Sequence, residues 1–447
     1  MRRALAIPTT ALLLGLVAGA TPAPAATDVL EATLDNGLHV LVLEDHRSPV
    51  ATVQVWYRVG SRDERPGATG LAHFLEHMMF KGTPTHGKGE LARLVEENGG
   101  RDNAFTTHDV TAYYTNIAAD HVDLVLALEA DRMRNLLLAP AEVDAERLVV
   151  MEERRTRTED DPDGLLAESM MSLAFKAHPY RWPIIGWMED IRRVTPAELR
   201  AFYDAYYRPN NATLVVVGAV SGPGVVRRAR EVFGSIPPGP DPPRPTAVEP
   251  PQVDERRVVV RKAGVQLPVV ALAWHVPNHA SPDAHALELL STILSEGRAS
   301  RLYRRLVYED RLALNAGGDY SYFSLDPNLF WFWATALPGQ TPETLERALL
   351  LEIERLKQEP VPIEEMERAK NQIEAAFVWR QDSVHSRAST LARFDLTGSW
   401  RRLDAFVPLI RAVTPADLVR VARAYFPVER KSVAVLEPAP PAAPSRP

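Results

Sequence analysis

The 447-residue chain contains no cysteine. That excludes disulfides and thiolate chemistry, and it restricts any metal site to histidine, aspartate and glutamate. Long basic runs are missing as well. With a formal charge of -7 the chain offers a phosphate backbone no electrostatic reason to bind, so nucleic acid is not an expected partner. Long apolar runs are absent beyond the N-terminus, so no later segment reads as a membrane span. The N-terminal run, in MRRALAIPTTALLLGLVAGATPAPAATDVL, is shorter than the ~20 residues that cross a bilayer. Arg2 and Arg3 precede it and the small-residue pattern Ala23-Pro24-Ala25-Ala26 follows it. Residues 1–26 therefore read as a secretory signal peptide cleaved after Ala25 or Ala26, which places the chain in the periplasm or outside the cell with no integral membrane span. Losing Arg2 and Arg3 with the leader takes the net charge from -7 to near -9.

What is present is an ordinary globular composition, 46% hydrophobic and 24% charged, on a chain long enough for two or three domains. The stretch IPPGPDPPRPTAVEPPQ, residues 236–252, is too rich in proline for a helix or a central strand and reads as a stiff linker. The expected organisation is a domain over 27–235, a linker over 236–256, a second domain over 257–437 and a proline-rich disordered tail over 438–447. The two halves resemble each other. Val194-Thr195-Pro196-Ala197-Glu198-Leu199 returns 219 residues later as Val413-Thr414-Pro415-Ala416-Asp417-Leu418, and ATLVVVG from Ala212 returns as KSVAVLE from Lys431 at the same offset. An earlier, looser match sets VATVQVWYRVGS from Val50 against LPVVALAWHVPN from Leu267. A helix start, a helix end and a strand held in one register argue for duplication. The expected fold class is α+β, two homologous α/β sandwich domains.

The chemistry concentrates in HFLEH, residues 73–77. Apolar residues at Leu71, Phe74, Leu75, Met78 and Met79 predict a helix over 70–81. On it His73 and His77 are four residues apart and face the same way, with Glu76 beside them. Two imidazoles so placed can hold one Zn²⁺ while an unliganded carboxylate reaches a water. A third ligand is expected on the helix around DAERLVVMEERR, where Glu146 and Glu153 share a face and Glu152 points about a quarter turn away. Spacing alone does not choose among them.

The H-x-x-E-H order is the inverzincin signature. Together HFLEHMMFKGT, GGRDNAFTTHDVTAYY and ERLVVMEERRTRTEDDP resemble the inverzincin metallopeptidases, the insulinase, pitrilysin and mitochondrial processing peptidase family, and in particular its shorter bacterial members with two homologous domains. The resemblance covers nearly all of the mature chain. It implies one Zn²⁺ held by His73, His77 and a glutamate 76 residues beyond His77, which is Glu153, with Glu152 as fallback. It implies Glu76 as the catalytic base, Glu146 as an acid orienting a ligand histidine, and Asn103-Ala104-Phe105-Thr106 as an edge strand that pairs with an extended peptide substrate. His108 is expected at the surface. The activity implied is a secreted zinc endopeptidase acting on unfolded peptides or small proteins. The alternative is a non-proteolytic assembly or scaffold subunit, as in relatives that have lost the metal motif.

The second half departs from the pattern. It carries no H-x-x-E-H, and where the resemblance implies a substrate-holding Arg and Tyr it has Val307 and Leu314, neither of which can donate a hydrogen bond from its side chain. Arg304, Arg305 and Tyr308 lie nearby. The expected partner is therefore a homologous subunit without zinc that supplies the Arg and Tyr in a heterodimer, with a homodimer as runner-up.

Overall fold

The computed structural model describes residues 28–440. The expected signal peptide lies outside them, as does most of the expected tail. The fold is α+β and consists of two sheets flanked by helices. The first sheet comprises β1 (Leu30–Thr33), β2 (His39–Glu44), β3 (Val50–Tyr57), β4 (Arg101–Thr106), β5 (Thr111–Ala118) and β6 (Ala212–Gly218), in the order β1-β2-β6-β3-β5-β4. The second comprises β7 (Arg256–Lys262), β8 (Val269–Val276), β9 (Ala313–Tyr320), β10 (Asn328–Ala336) and β11 (Ser432–Pro438), in the order β7-β11-β8-β10-β9.

Apart from β1 the two orders are one topology. In each, the last strand lies parallel to the first of the shared set, β6 on β2 and β11 on β7, and antiparallel to the next, β3 and β8. The ladders also settle the loose sequence match. Val216 faces Val53, and Val435, 219 residues on, faces Val270, so β3 and β8 correspond at an offset of 217. The β11–β7 ladder begins at Ser432↔Arg256 and ends at Pro438↔Lys262. It draws Arg256 out of the expected linker and Pro438 out of the expected tail, one residue in each case. Between the domains, residues 237–255 form neither helix nor strand. The segment is strapped down by Arg244, which donates to the Arg58 carbonyl and to Asn211, and by Glu249, which accepts from the backbone of Lys176, Ala177 and His178.

Strand β6 is buried at every position and β3 at all but its first. Strands this continuously apolar need cover on both faces. On β3, Val53, Val55 and Tyr57 join the core made with the first half's own helices, and on β6 Leu214 and Val216 do the same. The opposite face, with Trp56, Val215 and Val217, packs on Ala388, Leu391 and Ala392 of helix Val384–Leu396, which belongs to the second half. There Gln54 donates to the His385 carbonyl and to Ser389. The exchange is reciprocal. Helix Pro162–Ala174 of the first half lays Leu166, Met170 and Ala174 on Val269, Ala271, Ala273, Ala434 and Leu436 of the second sheet. It is started by Asp161, whose carboxylate accepts from Gly164 N, and by Pro162 at its first position.

Leu391 is 1% exposed in this interface. Leu391→Ala should lower unfolding stability by about 2–5 kcal/mol. Trp379→Ala, at a site 76% exposed, should stay within about 0.5 kcal/mol of the parent. Urea unfolding followed by circular dichroism checks both.

Candidate metal centre

Helix Leu71–Met78 starts where Gly70 adopts a left-handed conformation, φ 87°. A Cβ there would meet the Ile185 carbonyl at 2.5 Å, so glycine is required twice over. The first turn has no N-cap side chain of its own. Glu64 caps it from outside, accepting from Gly70 N and Ala72 N at 2.7 Å each. Leu71, Phe74, Leu75 and Met78 face the core, which leaves His73, Glu76 and His77 on the side toward a cleft. The helix is shorter than the expected 70–81. After Met78 the chain tightens into turns, Phe80 N to His77 O and Lys81 N to Met78 O, and reverses at Gly82 with φ 102°.

Helix Pro140–Arg154 packs against it through Val143 and Val150. Two of that helix's acids, two turns apart, straddle one imidazole. His77 Nδ1 donates to Glu146 Oε1 at 2.8 Å, and His77 Nε2 lies 3.2 Å from Glu153 Oε2. His73 Nε2 is 3.7 Å from the same Glu153 oxygen. Glu152 points away and pairs with Arg155 in solvent. One donor atom each from His73, His77 and Glu153 therefore lies within 4.8 Å of the other two, a group of three that could hold a metal ion. Two imidazole nitrogens and one carboxylate oxygen suit Zn²⁺, and three protein ligands leave a fourth position open. The bond to Glu146 places the His77 proton on Nδ1 and keeps Nε2 free as a ligand.

The electrostatics fit the same arrangement. Burial, with the neighbouring His77, pushes His73 down to about 4. Burial also opposes charge on His77, but its bonds to Glu146 and Glu153 prevail and lift it to about 9. The bond from His77 keeps Glu153 below the usual carboxylate range. Burial would raise Glu146, yet the bonds from His77 and Lys81 bring it below its ordinary value. Burial raises Glu76, against the hydroxyl of Thr106, which donates to Glu76 Oε2.

Asn103, Ala104, Phe105 and Thr106 lie on β4, the outermost strand of the first sheet, and all four line the cleft. The cleft has a volume of about 610 Å³ and is completed by Trp182 to Ile185 on one wall and by Ala167, Glu168 and Met171 on another. His108 is not at the surface as expected. Its Nε2 is buried, its ring packs edge-on against Tyr180 at 5.1 Å, and it too lines the cleft. Two contacts escaped the sequence reading. Lys81 neutralises the second oxygen of Glu146, and Arg157 Nη1 lies 2.8 Å from Glu153 Oε1. In the second half, Leu314 is exposed on β9 and Val307 packs at the edge of the second core. Arg304 and Arg305 are tied to Glu309.

The family model of the insulinases, peptidase family M16, matches residues 39–186, and that of the M16 inactive domain matches residues 193–373. Zinc protease PqqE of Helicobacter pylori is 35% identical over 409 residues, 91% of this chain and 92% of that one. The chain belongs to peptidase family M16. An uncharacterized zinc protease of Mycobacterium tuberculosis is 31% identical over 408 residues, again 91% and 92% of the two chains. The M16 architecture extends over nearly the whole molecule. A crystal structure of a Helicobacter pylori protease superposes with a TM-score of 0.89 at 34% identity, covering 92% of this chain and 100% of that one. The periplasmic protease PqqL of Escherichia coli shares the fold at 20% identity, with a TM-score of 0.75, and 93% of this chain covers 49% of it. Among the described residues no helix is long and apolar enough to cross a membrane.

Glu146→Gln should weaken zinc binding about 10–100-fold, whereas Glu152→Gln should leave it unchanged. Competition with a chromophoric chelator measures both.

Proposed function

We propose that this M16 chain is an exported zinc-dependent endopeptidase that hydrolyses extended peptides or small unfolded proteins. The supporting observation is the convergence of His73, His77 and Glu153 on one point, with Glu76 beside it and the unpaired edge of β4 along the same cleft. His73, His77 and Glu153 are the ligands, Glu146 orients His77 and Glu76 is the base. Zinc held there supplies Lewis acidity toward a scissile carbonyl and acidifies a water. An extended substrate adds to the free edge of β4 by main-chain hydrogen bonds, with Asn103 to Thr106 setting its register. Thr106 occupies Glu76 Oε2, leaving Oε1 to take a proton from the attacking water and deliver it to the leaving amine. Burial of Glu76 makes its carboxylate a stronger base.

The same reading makes this chain the zinc-bearing half of a two-subunit peptidase. The positions expected to donate to substrate hold Val307 and Leu314, and Arg304 and Arg305 are occupied by Glu309. The chain spans about half of PqqL, a periplasmic protease of double length. A homologous subunit without zinc supplies the missing donors.

Glu76→Gln should retain one zinc per chain and lose about 10²–10⁴-fold in turnover of a quenched peptide. Metal analysis alongside the assay checks this, and turnover that survives a strong chelator would refute the zinc mechanism. Co-purification with a co-expressed homologue lacking H-x-x-E-H, with a rise in peptide turnover over the chain alone, is the expected outcome for the subunit reading.

A further inference from the structure

Beyond the metal ligands, the cleft holds a charge that the reaction does not use. Among the described residues lining it, Arg157 is the sole lysine or arginine. Its side chain is 74% exposed. Its backbone, by contrast, is held in place. The segment Arg155–Glu159 forms a π-helical turn closed by Asp160 N on the Arg155 carbonyl, and Thr158 within it is buried. Gly164 of the exchanged helix abuts the Arg157 carbonyl, where a Cβ would come within 2.2 Å. The guanidinium thus projects into the cleft from a fixed base.

The acids around it are already engaged. Arg154 grips both oxygens of Glu168, at 2.8 and 3.0 Å, and Thr106 holds Glu76. Glu153 is the one carboxylate that Arg157 touches, through Nη1. With Glu153 Oε2 directed to the metal, that carboxylate's charge is shared with the ion, and Arg157 is left with most of its five N–H donors unspent. A planar fork of donors in a cleft matches a carboxylate.

We infer that Arg157 makes this cleft select peptides with an aspartate or glutamate close to the scissile bond, and that it disfavours lysine or arginine at the same position. The inference rests on the peptidase reading for its bond cleavage, but the charge preference is a property of binding.

The test uses the zinc-loaded Glu76→Gln chain and fluorescein-labelled peptides identical except for one residue, Glu, Gln or Lys, walked along the sequence. Anisotropy should show at least one position where Glu binds about 10-fold tighter than Lys. Adding Arg157→Gln should erase that difference, Arg157→Glu should invert it, and Arg157→Lys should keep its sign. Zinc content is measured for each variant, because Arg157 touches a ligand. A chain with no charge preference at any position, or one whose preference survives Arg157→Gln with zinc bound, overturns the inference. Cleavage of the same peptides by the parent chain separates the two readings. Binding preference without cleavage would sink the peptidase and leave the role of Arg157 standing.

Discussion

Each sheet of this protein has a face that its own half does not cover. That constraint follows from the continuous apolar character of β3, β6, β8 and β11, whose residues alternate between two cores. The solution is an exchange of helices, Pro162–Ala174 outward and Val384–Leu396 in return. Neither half can bury its strands alone, so the two fold as one unit. The exchanged helix also forms part of the cleft: Gly164, Ala167, Glu168 and Met171 line it, while Leu166, Met170 and Ala174 face the second sheet. The packing that joins the halves therefore also sets the wall opposite β4.

Much of the centre was legible because it is local. A spacing of four on an amphipathic helix places His73 and His77 together whatever surrounds them. The duplication was legible for a similar reason, since a capped helix start and a strand repeat within a short stretch, and the ladders confirm their register. The third ligand was only half legible. Periodicity puts Glu146 and Glu153 on one face, but which of them meets His77 through which nitrogen depends on how two helices cross, and both do.

The rest was hidden because it is non-local or depends on irregular backbone. A lone histidine such as His108 reads as exposed from its polarity. It is buried because Tyr180, some seventy residues later in the chain, packs against it. Lys81 reaches Glu146 only because the helix ends at Met78 and turns. Arg157 faces the cleft because the helix widens into a π-turn at Arg155, and no spacing rule anticipates that. Amphipathicity shows that helices Pro162–Ala174 and Val384–Leu396 need a partner, but not that the partner is the other half's sheet.

The central claim is that His73, His77 and Glu153 form one zinc centre. Zinc X-ray absorption of the purified chain tests it most directly. The account predicts one zinc per chain with a first shell of nitrogen and oxygen at about 2.0–2.2 Å, showing the scattering of two imidazoles, reduced to one in His77→Ala. A purified chain without zinc, or with a shell lacking imidazole, would contradict it.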